Sequence, residues 1–158
     1  MNDKAYQASL PKKRMAAGAL FWDENGRILL VNPTYKEPWE IPGGSVEALE
    51  SPRQACMREI KEELGLDDWQ PQRLLCVDYV SQRPDKTESL QFIFAGGLLD
   101  AALIGRLALP PAELSEYRFC LLAEALTLVN RRLGRRIAHC LFHLDQAGTL
   151  YLEDGEVP

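Results

Sequence analysis

GGSVEALESPRQACMREIKEELGL, residues 43–66, opens on two glycines and closes on Gly65-Leu66, with Glu59, Glu62 and Glu63 gathered around Arg58. Its punctuation predicts a helix over Pro52–Leu64. Ser51 suits the N-cap, Pro52 the first helical position, and Gln54 the far half of an S-x-x-Q capping box. Gly65 is the expected terminator. At about 100° per residue, Cys56, Met57, Ile60 and Leu64 share one sector and the three glutamates fall opposite. Ala55, the only small residue among the acids, is expected to leave open space on their side. Like charges at helical spacing repel by roughly 0.2–0.5 kcal/mol per pair. Carboxylates crowded on one side therefore ask for a cation between them.

Working outward, MAAGALFW (15–22) reads as a strand, DENG (23–26) as a turn and RILLVN (27–32) as its hairpin partner, because N-G is a strong short-range turn signal. PWEIPGG (38–44) is a short extended lead-in to the helix. RLLCVDYV (73–80) and SLQFIFAGG (89–97) are further strands, the second alternating as a half-buried one does. SQRPDKTE (81–88) is a polar connection between them. LPPAELSEYRFCLL (109–122) reads as a proline-marked loop entering a short strand. Apolar residues at Leu126, Val129, Leu133, Ile137, Cys140 or Leu141, and Leu144 predict a helical segment over about 122–146, with Gly134 as the candidate break. Residues 1–13 read as flexible and the tail YLEDGEVP as irregular. The expectation is one α/β domain spanning 1–158.

The 158 residues are 46% hydrophobic and 26% charged, the balance of a soluble globular chain. A net charge of −5 lacks the basic excess of a general nucleic-acid binder. An acidic protein that takes an anionic substrate must reverse the field locally with metals or clustered Arg and Lys. Cys56, Cys76, Cys120 and Cys140 form no C-x-x-C pair, so reduced thiols in a cytoplasmic protein are expected. The apolar run 15–22 is too short to span a membrane, and no signal peptide is read from it.

Glutamates at i, i+3 and i+4 place three oxygen donors within one turn, a set suited to Mg²⁺ or Mn²⁺. Gly43-Gly44 would let backbone approach an ion or phosphate closely. Taken alone, such a helix face is usually solvated surface laced with weak ion pairs. The spacing of the whole stretch changes that reading. From Gly44 it runs Gly, five residues, Glu50, seven residues, Arg58-Glu59, Ile60, one residue, Glu62-Glu63, one residue, Gly65 and Leu66.

This resembles the signature of the Nudix hydrolases (MutT-like) at every restricted position, most specifically over residues 44–66. The resemblance implies an α/β/α sandwich with a central mixed β-sheet and a loop–helix–loop motif. It also implies Mg²⁺- or Mn²⁺-dependent hydrolysis of a nucleoside diphosphate linked to another moiety, by water attack at phosphorus. Carried over, Glu59, Glu62 and Glu63 would be metal ligands, together with the backbone carbonyl of Gly43 or Gly44. Glu59 and Glu62 would serve catalysis, with Arg58 orienting the carboxylates. Glu50 would tie the loop to the helix, and Gly65 would end it. A general base would come from the box or from a later loop, where Glu113 and Glu116 are the candidates and Glu116 is preferred. Lys36, Trp39 and Arg83 are candidate substrate contacts beside Tyr35, each with an equal reading as anchor or surface.

His139 and His143 are spaced i, i+4 but lack the rest of a zinc motif, so helix surface or partial core is expected. RRLGRR (131–136) reads as a solvated face. The implied partner is a small nucleotide-type molecule, with no membrane and no nucleic acid beyond a capped RNA end. The apolar C-terminal helix leaves a homodimer open. Two other functions stand beside the enzyme: a nucleotide sensor that binds without cleaving, and an interaction module.

Overall fold

In the computed structural model, which describes residues 2–158, the predicted hairpin joins β1 (Arg14–Trp22) to β2 (Ile28–Pro33). Asp23 holds the turn: its Oδ1 accepts the N–H groups of Asn25 and Arg27, both at 2.9 Å. Gly26 supplies the positive φ of 71°. The other strands are β3 (Gly43–Ser45), β4 (Leu74–Val80), β5 (Ser89–Leu98), β6 (Leu114–Cys120) and β7 (Leu150–Glu153). They form one sheet in the order β6-β2-β1-β5-β4-β7, with β3 paired on β1. The β1–β5 and β4–β7 pairs are parallel and the rest antiparallel, so the sheet is mixed.

Both faces of the sheet are apolar, and each needs a covering layer. Alternation along β1 sends Ala17, Ala19 and Phe21 to one side and Leu20 to the other. The first side packs on Ala55, Cys56, Ile60 and Leu64 of α2 (Pro52–Leu64). The second packs on Ala125 of α4 (Leu122–Leu128) and on Leu133, Ile137 and Cys140 of α5 (Arg131–His143). The layers are α/β/α, as expected. Two short helices, α1 (Asp3–Ser9) and α3 (Ala101–Ile104), complete the set. All four cysteines are buried and free, and no described helix is long and apolar enough to cross a membrane.

Four expectations change. β5 is covered on both faces, Ile93 facing one core and Phe94 the other, because it lies in mid-sheet. The C-terminal helical segment breaks at Val129–Asn130, where Asn130 Oδ1 caps α5 by accepting the Leu133 N–H at 3.0 Å. Gly134 lies buried within α5, where a side chain would strike Leu126. Part of the tail, read as irregular, is β7, whose parallel pairing with β4 is a long-range contact. Residues 3–9 are helical, capped by Asn2, although none is buried; Met1 lies outside the described residues.

A buried ion pair fastens α5 to the sheet. Arg136 reaches Asp78 Oδ2 through Nε at 2.7 Å and a terminal nitrogen at 2.6 Å, while Asp78 Oδ1 accepts the Gly155 N–H at 3.0 Å. Removing one partner of such a pair strands a charge, at about 3–5 kcal/mol. Arg136→Leu should lower unfolding stability in urea by about that amount. The double variant Asp78→Leu/Arg136→Leu should recover more than half of the loss.

Candidate active site

The start and stop signals of α2 act as predicted. Ser51 Oγ accepts the Gln54 N–H at 3.1 Å, and Gln54 Oε1 accepts the Ser51 N–H at 2.9 Å. Gly65 ends the helix in the left-handed region at φ 72°. The faces fall differently from the expectation. Ala55, Glu59 and Glu63, spaced i, i+4 and i+8, border the buried stripe rather than oppose it. Ala55 is fully buried core, not open space among the acids, and Met57 is only half-buried. Glu63 is 8% exposed, whereas the Glu62 side chain is 54% exposed.

Arg58 organises the acids. Its Nε and one terminal nitrogen grip both Glu50 oxygens at 2.9 and 3.1 Å, and that nitrogen also donates to the Ser45 carbonyl at 3.1 Å. The other terminal nitrogen donates to Glu59 at 2.7 Å and Glu62 at 3.2 Å. Glu50 in turn accepts the Glu47 N–H at 2.9 Å. Loop and helix are thus joined through one guanidinium. The three carboxylates do not meet at one point: Glu59 and Glu62 turn to Arg58, while Glu63 accepts the Gly43 N–H at 2.9 Å. Among the described residues, no three acidic, imidazole or thiol groups form a ready-made metal cage.

Gly43 and Gly44 set the site against the sheet. Gly43 pairs with Gly18 and Gly44 with Ala17. A Cβ on Gly43 would overlap the Ala17 backbone, and one on Gly44 would overlap the Glu59 carboxylate. On the other side of these glycines lies a cavity of about 210 Å³ between β1, β4, β5 and α5. Arg14, Arg83, Lys86, Arg132 and Arg136 line it against a single acid, Glu40.

The remaining predicted residues scatter. Arg83 does line the cavity. Trp39 is core, 8% exposed, and its ring faces the Arg118 guanidinium at 4.8 Å, so it offers no stacking surface. Lys36 bonds to Glu40 at 2.5 Å and lies 5.5 Å from the ring centre of the exposed Tyr35. Glu116 sits exposed on β6, 3.7 Å from Arg118, whereas the charge of Glu113 is felt at Glu59 and Glu63. His143 is buried and bonds to the Gly148 carbonyl at 3.0 Å, and His139 lies 3.9 Å from Glu156. Neither joins a metal cluster among the described residues.

RRLGRR is not one solvated face: Arg136 is buried, Arg132 lines the cavity, and Arg132 and Arg135 pair with Asp154 and Glu156. The spacing of Leu133, Arg136, Ile137 and Cys140 carried the signal that Arg136 belongs to the buried stripe. Arg14 and Lys86 carried no such signal.

The NUDIX domain model matches residues 12–140, most of the chain. The chain belongs to the Nudix family. An RNA pyrophosphohydrolase of Marinomonas sp. is 35% identical over 57 residues, 36% of this chain and 35% of that protein. An 8-oxo-dGTP diphosphatase of Proteus vulgaris is 35% identical over 60 residues, 35% of this chain and 54% of that one. The match therefore spans less than two thirds of these relatives' length. A MutT protein from Methanosarcina mazei Go1 superposes with a TM-score of 0.69 at 22% identity, over 88% of this chain and all of that one, a likeness of fold.

The chemistry of the Nudix box suits a hard divalent cation, since every side-chain donor is a carboxylate oxygen. Burial pushes the Glu63 carboxyl up to about 8; the Gly43 N–H opposes that shift, and the charges of Glu59, Glu40 and Glu113 add to it. Burial also raises Glu59, against the pull of Arg58. Two shielded carboxylates beside a glycine cradle fit a cation. A carboxyl raised on folding binds its proton better in the native state, so its contribution to stability falls as pH rises from about 4.5 to 8. In metal-free protein, Glu63→Gln should melt several degrees above wild type at pH 8 and near it at pH 5. Scanning calorimetry across that range measures the gap.

Proposed function

We propose that this chain is a divalent-metal-dependent pyrophosphohydrolase that cleaves a nucleoside diphosphate linked to a second group, with water as nucleophile. The observation that carries the reading is Glu63: a carboxyl buried at the helix–sheet seam, held by one backbone N–H and faced by other acids. Its relatives' names, RNA pyrophosphohydrolase and 8-oxo-dGTP diphosphatase, support the same bond type. Glu59, Glu62, Glu63 and the carbonyl of Gly43 or Gly44 would hold Mg²⁺ or Mn²⁺. When bound, such an ion neutralises phosphate charge and lowers the pKa of water.

The chain's own groups supply position. Arg58 fixes Glu59 and Glu62 while Glu50 fixes Arg58. Gly44 lets Glu59 stand against β3 without a steric barrier. Arg14 and Arg83 bring positive charge to the cavity, where the phosphates of an anionic substrate are favoured. A loop carboxylate would accept a proton from the attacking water, with Glu113 and Glu116 as the two candidates.

A phosphate-release assay with Mg²⁺ should show turnover of at least one compound among ADP-ribose, nucleoside triphosphates, a dinucleoside polyphosphate and 5′-triphosphorylated RNA. Glu62→Gln should lower kcat by about two orders of magnitude or more while the melting temperature holds. Wild-type turnover in that variant at saturating Mg²⁺ would overturn the reading. Of Glu113→Gln and Glu116→Gln, the one that removes the base should cost about 10²-fold or more and flatten the acidic limb of the pH–rate profile. The other should leave both unchanged.

A further inference from the structure

The net charge of −5 conceals a second concentration of positive charge beyond the first cavity. Arg83, Lys86, Asn130 and Arg132 line that cavity and also a groove of about 500 Å³, where Arg131 and Arg135 join them. The two spaces share these walls, so a basic channel leads from Gly43–Gly44 to the first turn of α5.

Four observations bear on what the groove takes. Its lining holds five basic side chains and one acid, Asp154, which is occupied by Arg132 at 3.0 Å. Arg135 is answered by Glu156 at 2.8 Å, but no described carboxylate lies within 4.0 Å of Arg83, Lys86 or Arg131. The Nε–H of Arg83 is buried and meets no acceptor among the described residues, a state that native structures rarely leave unanswered. The lining also contains no aromatic and no aliphatic side chain, so a base has nothing to stack on and an apolar group nothing to displace. Unspent donors on a wall of guanidinium and ammonium groups match phosphate oxygens.

We propose that the groove is a second phosphate subsite, selecting substrates that carry a phosphate at a distance from the diphosphate bridge. The proposal rests on the pyrophosphohydrolase reading for the bridge itself. The distant phosphate has two chemical sources: the phosphodiester backbone of an RNA 5′ end, or a phosphate ester on a small molecule.

Two matched pairs separate these sources: ADP-ribose against its 2′-phosphate, and GTP against a short 5′-triphosphorylated RNA beginning with G. In at least one pair the member with the extra phosphate should show kcat/KM about tenfold higher or more. That advantage should fall toward one in Lys86→Glu/Arg131→Glu, two exposed positions without carboxylate partners. An advantage confined to the RNA pair assigns the backbone as the source, and one confined to the ADP-ribose pair assigns the ester. A ratio near one in both pairs, or an advantage that survives both charge reversals, overturns the proposal. Should no compound be turned over, calorimetric titration of the same pairs still decides it. Tighter binding of the extended member, lost in the variant, upholds the subsite while the hydrolase reading fails. Equal affinities overturn the subsite.

Discussion

A carboxyl held out of water at the junction of α2 and β3 is the constraint on which the rest depends. Glu63 has little solvent, one N–H donor and three acids for company. Desolvation of that kind is tolerable only where the group is neutralised by a proton or a cation. The surrounding residues make sense as the means of holding it. Gly43 brings its N–H within reach because it lies directly on Gly18 of β1. Arg58 draws Glu59 and Glu62 away into ion pairs, which limits the repulsion while the seam is free of other charge. Ala55, Cys56, Ile60 and Leu64 press the helix down so that these groups keep their places.

Local chemistry was legible and long-range chemistry was not. Ser51, Pro52, Gln54 and Gly65 write the bounds of α2 in adjacent residues, and the helix matches them residue for residue. The hairpin around Asp23 and Gly26 was equally plain. Seven residues after Cys56, Glu63 lies at the edge of the apolar sector on a helical wheel, but the wheel does not show β3 arriving there with an N–H. β7 escaped because its partner strand lies some seventy residues away in sequence, as Cys76 pairs with Leu150. The break between α4 and α5 was displaced to Gly134, although Asn130 is the better cap: the apolar recurrence runs through both helices and masks the boundary. Arg14, Lys86 and Arg132 meet only when β1, the β4–β5 connection and α5 converge.

Average charge is a poor guide to local field in this molecule. The acids of the box lie against the α2 side of the sheet, and the arginines line the α5 side. Each cluster would be costly alone. In the proposed function, a phosphate-rich ligand coordinated by a divalent ion would be the intermediary, presenting negative charge to one side and sharing a cation with the other.

The pairing of β3 with β1 through Gly18 and Gly43 has a consequence for how such a protein diversifies. The partition between the carboxylate seam and the basic channel is a single thickness of main chain at Gly18 and Gly43, and Glu40 is the side chain that bears on both. With the groove as the proposed subsite, changes at Arg131, Arg135 or Lys86 would alter which molecules are admitted without passing through the residues that hold the acids. A lineage can retune its diet on one side of that partition while its chemistry stays fixed on the other.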